Sequence, residues 1–400
     1  MPSVSVSSGS SFLQLAFPAG SDAALAQQLA DTLLAPAQNG TETFQSVSAD
    51  DTAIVPVPGG NVGVLAVLET QLPFTTPVSV PAGFNFTIID TSEGFASVQG
   101  NGGEDQRVLI SSATGVTFNT GGGSGTVVAG QGNNLIGTPM TGGGHQLIVG
   151  GPGNDTITSF SGDNVISPGG GANLIGLENG RDDVSLSGTA DTVVAASGDD
   201  TVSVTGEDAA LIFGGSGRLT FINGSAPSTV VGGSGSETIE GGVGGGLYQG
   251  GSGGDNSISG GSGKVTIFGG GSGDTLAAGG SLGDALAAAS GNETLTSASS
   301  HGLDSMYGGS GQDVMIAGLG GDLMLGGSGT MNFEFIKGLT SAASTYEVFN
   351  FHAGDAVTLS GYSGAPTATS AGGNLVLGLS DGTRITFVGV AHGSLLNIQT

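Results

Sequence analysis

The chain has 400 residues, of which 81 are glycine, roughly three times the ordinary share of about 7%, and an ordinary helical enzyme is excluded on that ground. Six lysines and arginines stand against 33 aspartates and glutamates, a formal net charge of -27. A surface that binds duplex nucleic acid needs clustered cations to neutralise phosphates, so nucleic acid is excluded as a partner. The carboxylates that six cations cannot match must be solvated or neutralised from outside the chain, and a hard metal ion that takes oxygen ligands is the natural candidate.

A hydrophobic share of 37% is enough to bury a core and does not describe a disordered acidic tail. There is no cysteine and no tryptophan, so disulfides, thiolate metal sites and thiol nucleophiles are ruled out. In chain order, the first twenty residues lack both a basic stretch and a continuous apolar one, and do not read as a Sec signal. No apolar run reaches the 18 residues of a membrane-spanning helix. Leu25, Leu29 and Leu33, following Ser21 and Asp22 and preceding Pro36, predict one amphipathic helix over Ser21–Leu34. Strand-like runs follow at Val62–Leu68, Phe84–Ile89, Val108–Ile110, Val116–Phe118 and Thr126–Ala129, without a strict period.

From residue 150 a period of nine takes over. A polar residue recurs at Asp155, Asn164, Asn173, Asp182, Asp191 and Asp200, and two positions later an apolar one at Ile157, Ile166, Ile175, Val184, Val193 and Val202. The pattern returns at Glu237/Ile239, slips by one residue at Asp255/Ile258, and continues through Ile267, Leu276, Leu286 and Leu295. It regains strict spacing at Asp304/Met306, Asp313/Met315, Asp322/Met324 and Met331/Phe333. A glycine-rich half followed by a short apolar-centred half reads as a tight turn and a short strand. Two such units make one coil, and stacked coils form two parallel sheets around a ladder of aliphatic side chains. The stretches Gly214–Val231 and Gly260–Ser300 read as poor in turn carboxylates.

These residues resemble the nonapeptide of the repeats-in-toxin (RTX) family, Gly-Gly-x-Gly-x-Asp-x-apolar-x, complete at Gly150–Ile157 and Gly308–Met315 and nearly so at Ala195–Val202, Ala317–Met324 and Gly250–Ile258. The resemblance implies an all-β fold: a parallel β-roll or β-solenoid over 149–333, preceded by an irregular β region with one short helix over 1–148. The strand-like runs of that region, with glycine turns but no strict period, can also be read as an irregular early part of the same solenoid. A β cap over 334–400, read as antiparallel strands, closes the roll and carries an uncleaved C-terminal secretion signal. It further implies calcium held in the turns, the Asp of one unit working with that of the unit one coil on. The candidate ligands are Asp155, Asn173, Asp182, Asp191, Asp200, Asp255, Asp304, Asp313 and Asp322, with Asp182/Asp200 and Asp304/Asp322 as carboxylate pairs. Asn164 weakens the site beneath Asp182, Ala209 follows Asp191, and Met331 follows Asp313.

Enzyme signatures are weak. Gly250–Gly254 and Gly279–Gly283 both fit Gly-x-Ser-x-Gly, but so glycine-rich a chain produces such strings freely, and neither follows a strand that leads into a helix. No His-Glu-x-x-His occurs, and His145, His301, His352 and His392 are scattered. The expected function is a non-catalytic, secreted bacterial protein that folds around calcium and self-assembles with copies of itself into an extracellular layer, matrix or filament. The alternatives are an adhesin for cell-surface or matrix polysaccharide, and a polysaccharide-modifying enzyme with an unrecognised site in the N-terminal part.

Overall fold

The computed structural model describes residues 3–8, 11–17, 21–32, 42–47, 54–55, 57, 62–69, 77–91, 96–102, 105–112, 114–342, 344–391 and 397–399. The chain divides into two compact units, residues 1–210 and 211–400. Each is built from short strands laid down in alternation on two parallel sheets. In the N-terminal unit one sheet runs from Glu42–Val47 through Val62–Glu69, Phe84–Thr91, Gln106–Ser112, Gly125–Ala129, Gln146–Val149 and Val165–Ser167 to Asp183–Leu186 and Asp199–Val204. The other runs from Val78–Ser79 through Ala96–Gln99, Val116–Asn119, Leu135–Gly137, Thr156–Ser159 and Leu174–Leu177 to Thr192–Ala195. The C-terminal unit repeats the plan, one sheet from Leu211–Phe213 to Thr345–Phe349 and the other from Arg218–Ile222 to Ala356–Ser360.

The single apolar residue of each nonapeptide is the rung of the core. Ile157, Ile175 and Val193 stack in register on one side and Ile166, Val184 and Val202 on the other, all at 0% exposure. Their strand neighbours point outward, so the core is one side chain deep and every rung contacts only the rungs beside it. Truncation cannot be absorbed by a second layer. Ile175→Ala is expected to cost about 2–4 kcal/mol, read by calorimetry in calcium as a melting temperature lower by about 5–15 °C.

The coil begins well before the period does. The five predicted strands between Val62 and Ala129 are consecutive parallel rungs, but on one sheet both faces are covered, so their sequences are continuous apolar runs instead of alternating ones. Val64, Ala66, Phe86, Ile88, Leu109, Val128 and Val149 form one buried cluster with Leu15 and Phe17 of the strand Ser11–Ala16 and its end, and with Ala26, Leu29 and Ala30 of the helix Ser21–Asp31. The helix therefore buries two alanines and Leu29, with Leu25 at the margin; Leu33 and Leu34, and the side chains of Ser21 and Asp22, lie outside the described residues. No described helix is long and apolar enough to cross a membrane.

The C-terminal strands differ in direction from the antiparallel reading. Thr345–Phe349 and Ala356–Ser360 continue the parallel stack, and so do Arg384–Phe387 and Asn397–Gln399. Only Thr367–Ala371, Asn374–Gly378 and Arg384–Phe387 pair antiparallel, through the two-glycine turn at Gly372 and Gly373. The aromatic rings of Phe333, Phe351 and Phe387 pack at centroid distances of 5.9 and 5.2 Å, so the terminal rungs are closed by rings in place of aliphatic residues.

Candidate metal centre

Each polar residue of the repeat stands where the turn enters a strand, and the structure links these residues into columns. In the N-terminal unit one column holds Asn134, Asp155, Asn173, Asp191 and Asp208. Oδ1 of each later member accepts the backbone N–H of the member one coil earlier: Asn134 to Asp155 at 2.6 Å, Asp155 to Asn173 at 2.7 Å, Asn173 to Asp191 at 2.8 Å and Asp191 to Asp208 at 3.1 Å. The second column holds Gln146, Asn164, Asp182 and Asp200, joined in the same way at 2.8, 2.8 and 3.1 Å. The place after Asp191 is taken by Asp208 and not Ala209, because that coil is 17 residues long and not 18.

The remaining oxygen of these carboxylates decides the chemistry. Asp155, Asp182, Asp191, Asp200 and Asp208 are 0–3% exposed, and Oδ2 of each has no hydrogen-bond partner. The asparagines of the same columns show what surrounds that position. Nδ2 of Asn164 donates to the carbonyls of Ser161 and Gly162, both at 3.2 Å, and Nδ2 of Asn173 to that of Gly170 at 3.2 Å. An aspartate puts an oxygen where asparagine puts a donor, so its Oδ2 faces carbonyl oxygens with nothing positive between them. A Cβ on Gly150 would lie 2.6 Å from Asp155 Oδ2, and one on Gly198 2.7 Å from Asp200 Oδ1, so glycine keeps the space beside each carboxylate clear. A buried anion beside carbonyl dipoles requires a cation or a proton, and a hard divalent ion with oxygen ligands fits this donor set.

In the C-terminal unit one column is longer and both are more acidic. One holds Glu237, Asn256, Asp274, Glu293 and Asp313, continued by Met331 and Asp355; the other holds Val265, Asp284, Asp304 and Asp322. Several members close on themselves: Asp274, Asp284 and Asp313 accept with Oδ2 the N–H of their own turn glycines, Gly270 at 2.7 Å, Gly279 at 3.0 Å and Gly309 at 2.8 Å. Asp322 Oδ2 accepts from Gly318 N–H and from Ser297 Oγ, both at 2.9 Å. Glu293, one methylene longer, is 1% exposed and has no hydrogen-bond partner on either oxygen, and Asp304 keeps an unpartnered Oδ2.

Burial moves these groups in one direction. It pushes Asp155 and Asp191 up to about 7, the latter also by hydrogen bonding and repulsion from Asp208. It pushes Asp200, Asp304 and Asp322 up to about 6, and Glu293, beside Asp313 and Asp274, up to about 7. Asp182, Glu237 and Asp284 are raised for the same reason. In chelated protein the folded chain therefore holds protons that the unfolded chain releases between about pH 4 and pH 7. That stability is present in full below the unfolded range and is lost as pH rises through 6 to 7. Chelated protein is expected to melt about 10 °C higher at pH 5 than at pH 8; a melting temperature that rises with pH would show the carboxylates to be ionised and satisfied without metal.

The sequence-predicted residues divide accordingly. Asp155, Asn173 and Asp191 share one column, Asp182 and Asp200 the other; Asp304 and Asp322 pair across adjacent rungs, and Asp313 lies on the opposite column of that unit. Asp255 joins none of them. The extra residue in its turn displaces it to the surface with φ 59°, and Asn256 takes its place. Asp208, Asp274, Asp284 and Glu293 were not singled out, although Leu276, Leu286 and Leu295 each follow two residues behind the last three. The stretch Gly260–Ser300, read as poor in turn carboxylates, thus contains three column members. Coils of 19 and 20 residues hid them from a strict period of nine.

Among the described residues no three His, Cys, Asp or Glu side chains converge on one point; the carboxylates are spread one per turn, with turn carbonyls beside Asn164 and Asn173 of the same columns. His145 and His301 are exposed, His352 is half-buried beside Asp355, and His392 lies outside the described residues. Both Gly-x-Ser-x-Gly strings are turns between rungs.

The RTX calcium-binding nonapeptide repeat (4 copies) matches residues 140–175, 250–281 and 302–330, about a quarter of the chain. These stretches contain Asp155, Asn173, Asn256, Asp274, Asp304, Asp313 and Asp322 of the columns. No curated protein matches the chain. Such repeats are calcium-binding, and with them set into the turns of a parallel β-solenoid the chain has the make-up of an RTX β-roll protein.

Proposed function

We propose that this chain is a secreted, non-catalytic structural protein that holds calcium in its turns and assembles with copies of itself into an extracellular layer, matrix or filament. The observation that carries the reading is the column arrangement: the turns of both units are lined with buried carboxylates whose unpartnered oxygens need a cation, so the scaffold itself is the binding device. Calcium-binding repeats of this type suggest a structural or secreted protein. We assign the ions to Asp155, Asn173, Asp191 and Asp208 on one column and to Asp182 and Asp200 on the other. In the C-terminal unit they go to Asp284, Asp304 and Asp322, and to Glu237, Asp274, Glu293 and Asp313. Bound calcium supplies positive charge between stacked carboxylates and carbonyls, and it lowers the repulsion between copies that each carry -27.

The test is the mass and the appearance of the full chain, by light scattering and electron microscopy, in millimolar calcium and in chelator. Larger species that form with calcium and disperse on chelation are expected. A chain that stays monomeric in both, at every concentration reached, overturns the assembly; turnover of a polyuronate by the purified chain overturns the non-catalytic reading.

A further inference from the structure

One sheet face of the C-terminal unit is almost free of charge and carries exposed aromatic rings. Over the eight rungs from Leu211–Phe213 to Thr345–Phe349, two columns of side chains point outward, and Glu347 on the last rung is their only acidic or basic member. Phe213, Leu247, Phe268, Tyr307 and Leu325 stand there 36–42% exposed. The unit's other sheet carries an outward row of hydroxyls, Thr220, Thr238, Ser257, Thr275 and Thr294, together with Glu240 and Glu334. In the N-terminal unit the helix and strand lie over one outer face, while Leu135, Leu174 and Val194 on the other sheet are exposed but carry no rings.

We propose that the Leu211–Phe349 face is where a second copy of this chain docks, which rests on the assembly reading above. Charge selects the occupant. Copies of a -27 chain repel over most of their surface, and a face with one charged side chain and five exposed apolar ones lets them approach with little repulsion. Relief selects the register. The third outward position of successive rungs runs Phe268, Ala287, Tyr307, Leu325, so a small residue lies between two rings. A two-fold axis between the Ala287 and Tyr307 rungs sets each Tyr307 over the second copy's Ala287, and each Phe268 over the second copy's Leu325. Such an isologous match of knob and gap closes on itself. Eight rungs at about 4.8 Å by three residues at about 3.3 Å give a patch of about 400 Å² a side, the size of a weak, reversible contact. Sugar stacking is the poorer fit, because the rings are flanked by Leu, Val, Ala and Thr with few hydrogen-bonding groups to orient a hydroxyl-rich ligand.

The experiment uses the full chain in millimolar calcium. Sedimentation equilibrium is expected to show a monomer–dimer equilibrium whose dissociation constant rises at least tenfold in F268D/Y307D, measured at a temperature where circular dichroism shows the variant folded. Since the chain lacks cysteine, single A287C and Y307C chains can be mixed under mild oxidation: the mixed disulfide is expected to form faster than either homodimer. Self-association that survives F268D/Y307D, or equal cross-linking of T238C and T275C on the other sheet, overturns this interface while leaving assembly standing. A strictly monomeric wild type overturns both, and an oligosaccharide bound by wild-type monomer and lost in F268D/Y307D replaces the second copy by a glycan.

Discussion

Chelated at pH 8, the protein is expected to lose most of its β circular dichroism or to melt at least 20 °C lower than in millimolar calcium. The size of the effect follows from the number of buried carboxylates with an unpartnered oxygen: Asp155, Asp182, Asp191, Asp200 and Asp208 in the N-terminal unit alone. At that pH even the groups raised to about 7 are ionised, so each is a desolvated anion, and Asp182/Asp200 and Asp191/Asp208 stack as neighbouring anions. One ion at a hundredfold its dissociation constant stabilises by about 2.7 kcal/mol, and several such ions exceed the whole stability of an ordinary domain. Titration back with calcium should restore signal and melting temperature together, because no preformed site exists in an unfolded chain. Magnesium, which dehydrates reluctantly and demands octahedral geometry, should restore far less. Identical melting curves with and without chelator would show that the carboxylates are satisfied by the chain alone.

Asp200→Asn should move stability in opposite directions in the two conditions. Asn164 lies two coils earlier on the same column, and its Nδ2 finds the carbonyls of Ser161 and Gly162. An asparagine at 200 puts the same donor in place of the unpartnered Oδ2, while its Oδ1 still accepts the N–H of Asp182. Relieving one unsatisfied buried polar atom contributes about 1–3 kcal/mol, so the chelated variant should melt about 3–10 °C higher than chelated wild type. In calcium the order should reverse, and calorimetric titration should count at least one ion fewer. A variant less stable than wild type under chelation would mean that Asp200 acts by a protonated hydrogen bond that asparagine fails to replace.

The parts of this architecture written as a strict repeat were legible before the structure, and the parts written otherwise were not. Ile157 through Val202 announce the ladder because one inner residue per nine leaves no alternative period. The rungs before 149 were visible as strands, and as an irregular early part of the same solenoid, but without a period, since Val64, Phe86 and Leu109 face outward and are as apolar as their inward neighbours. Apolar residues on both faces erase alternation, and what covers the outer one is a helix more than thirty residues earlier in the chain. Asp255 and Ala209 show the limit from the other side: a turn one residue longer or shorter moves the column place to Asn256 or Asp208, and counting by nine points to the neighbour. The direction of Thr345–Phe349 and Ala356–Ser360 was equally hidden, because strand composition does not say which way a strand runs.

The bonds by which a column's Oδ1 atoms accept a backbone N–H from another coil point the same way. From Asn134 to Asp208, from Gln146 to Asp200 and from Val265 to Asp304, Oδ1 of each later member reaches the N–H of the preceding coil, and Asp355 Oδ1 meets the N–H of Met331. Each such run therefore has a polarity: its last residue holds the last acceptor, and cutting away that residue's coil leaves the N–H of the coil before it unanswered.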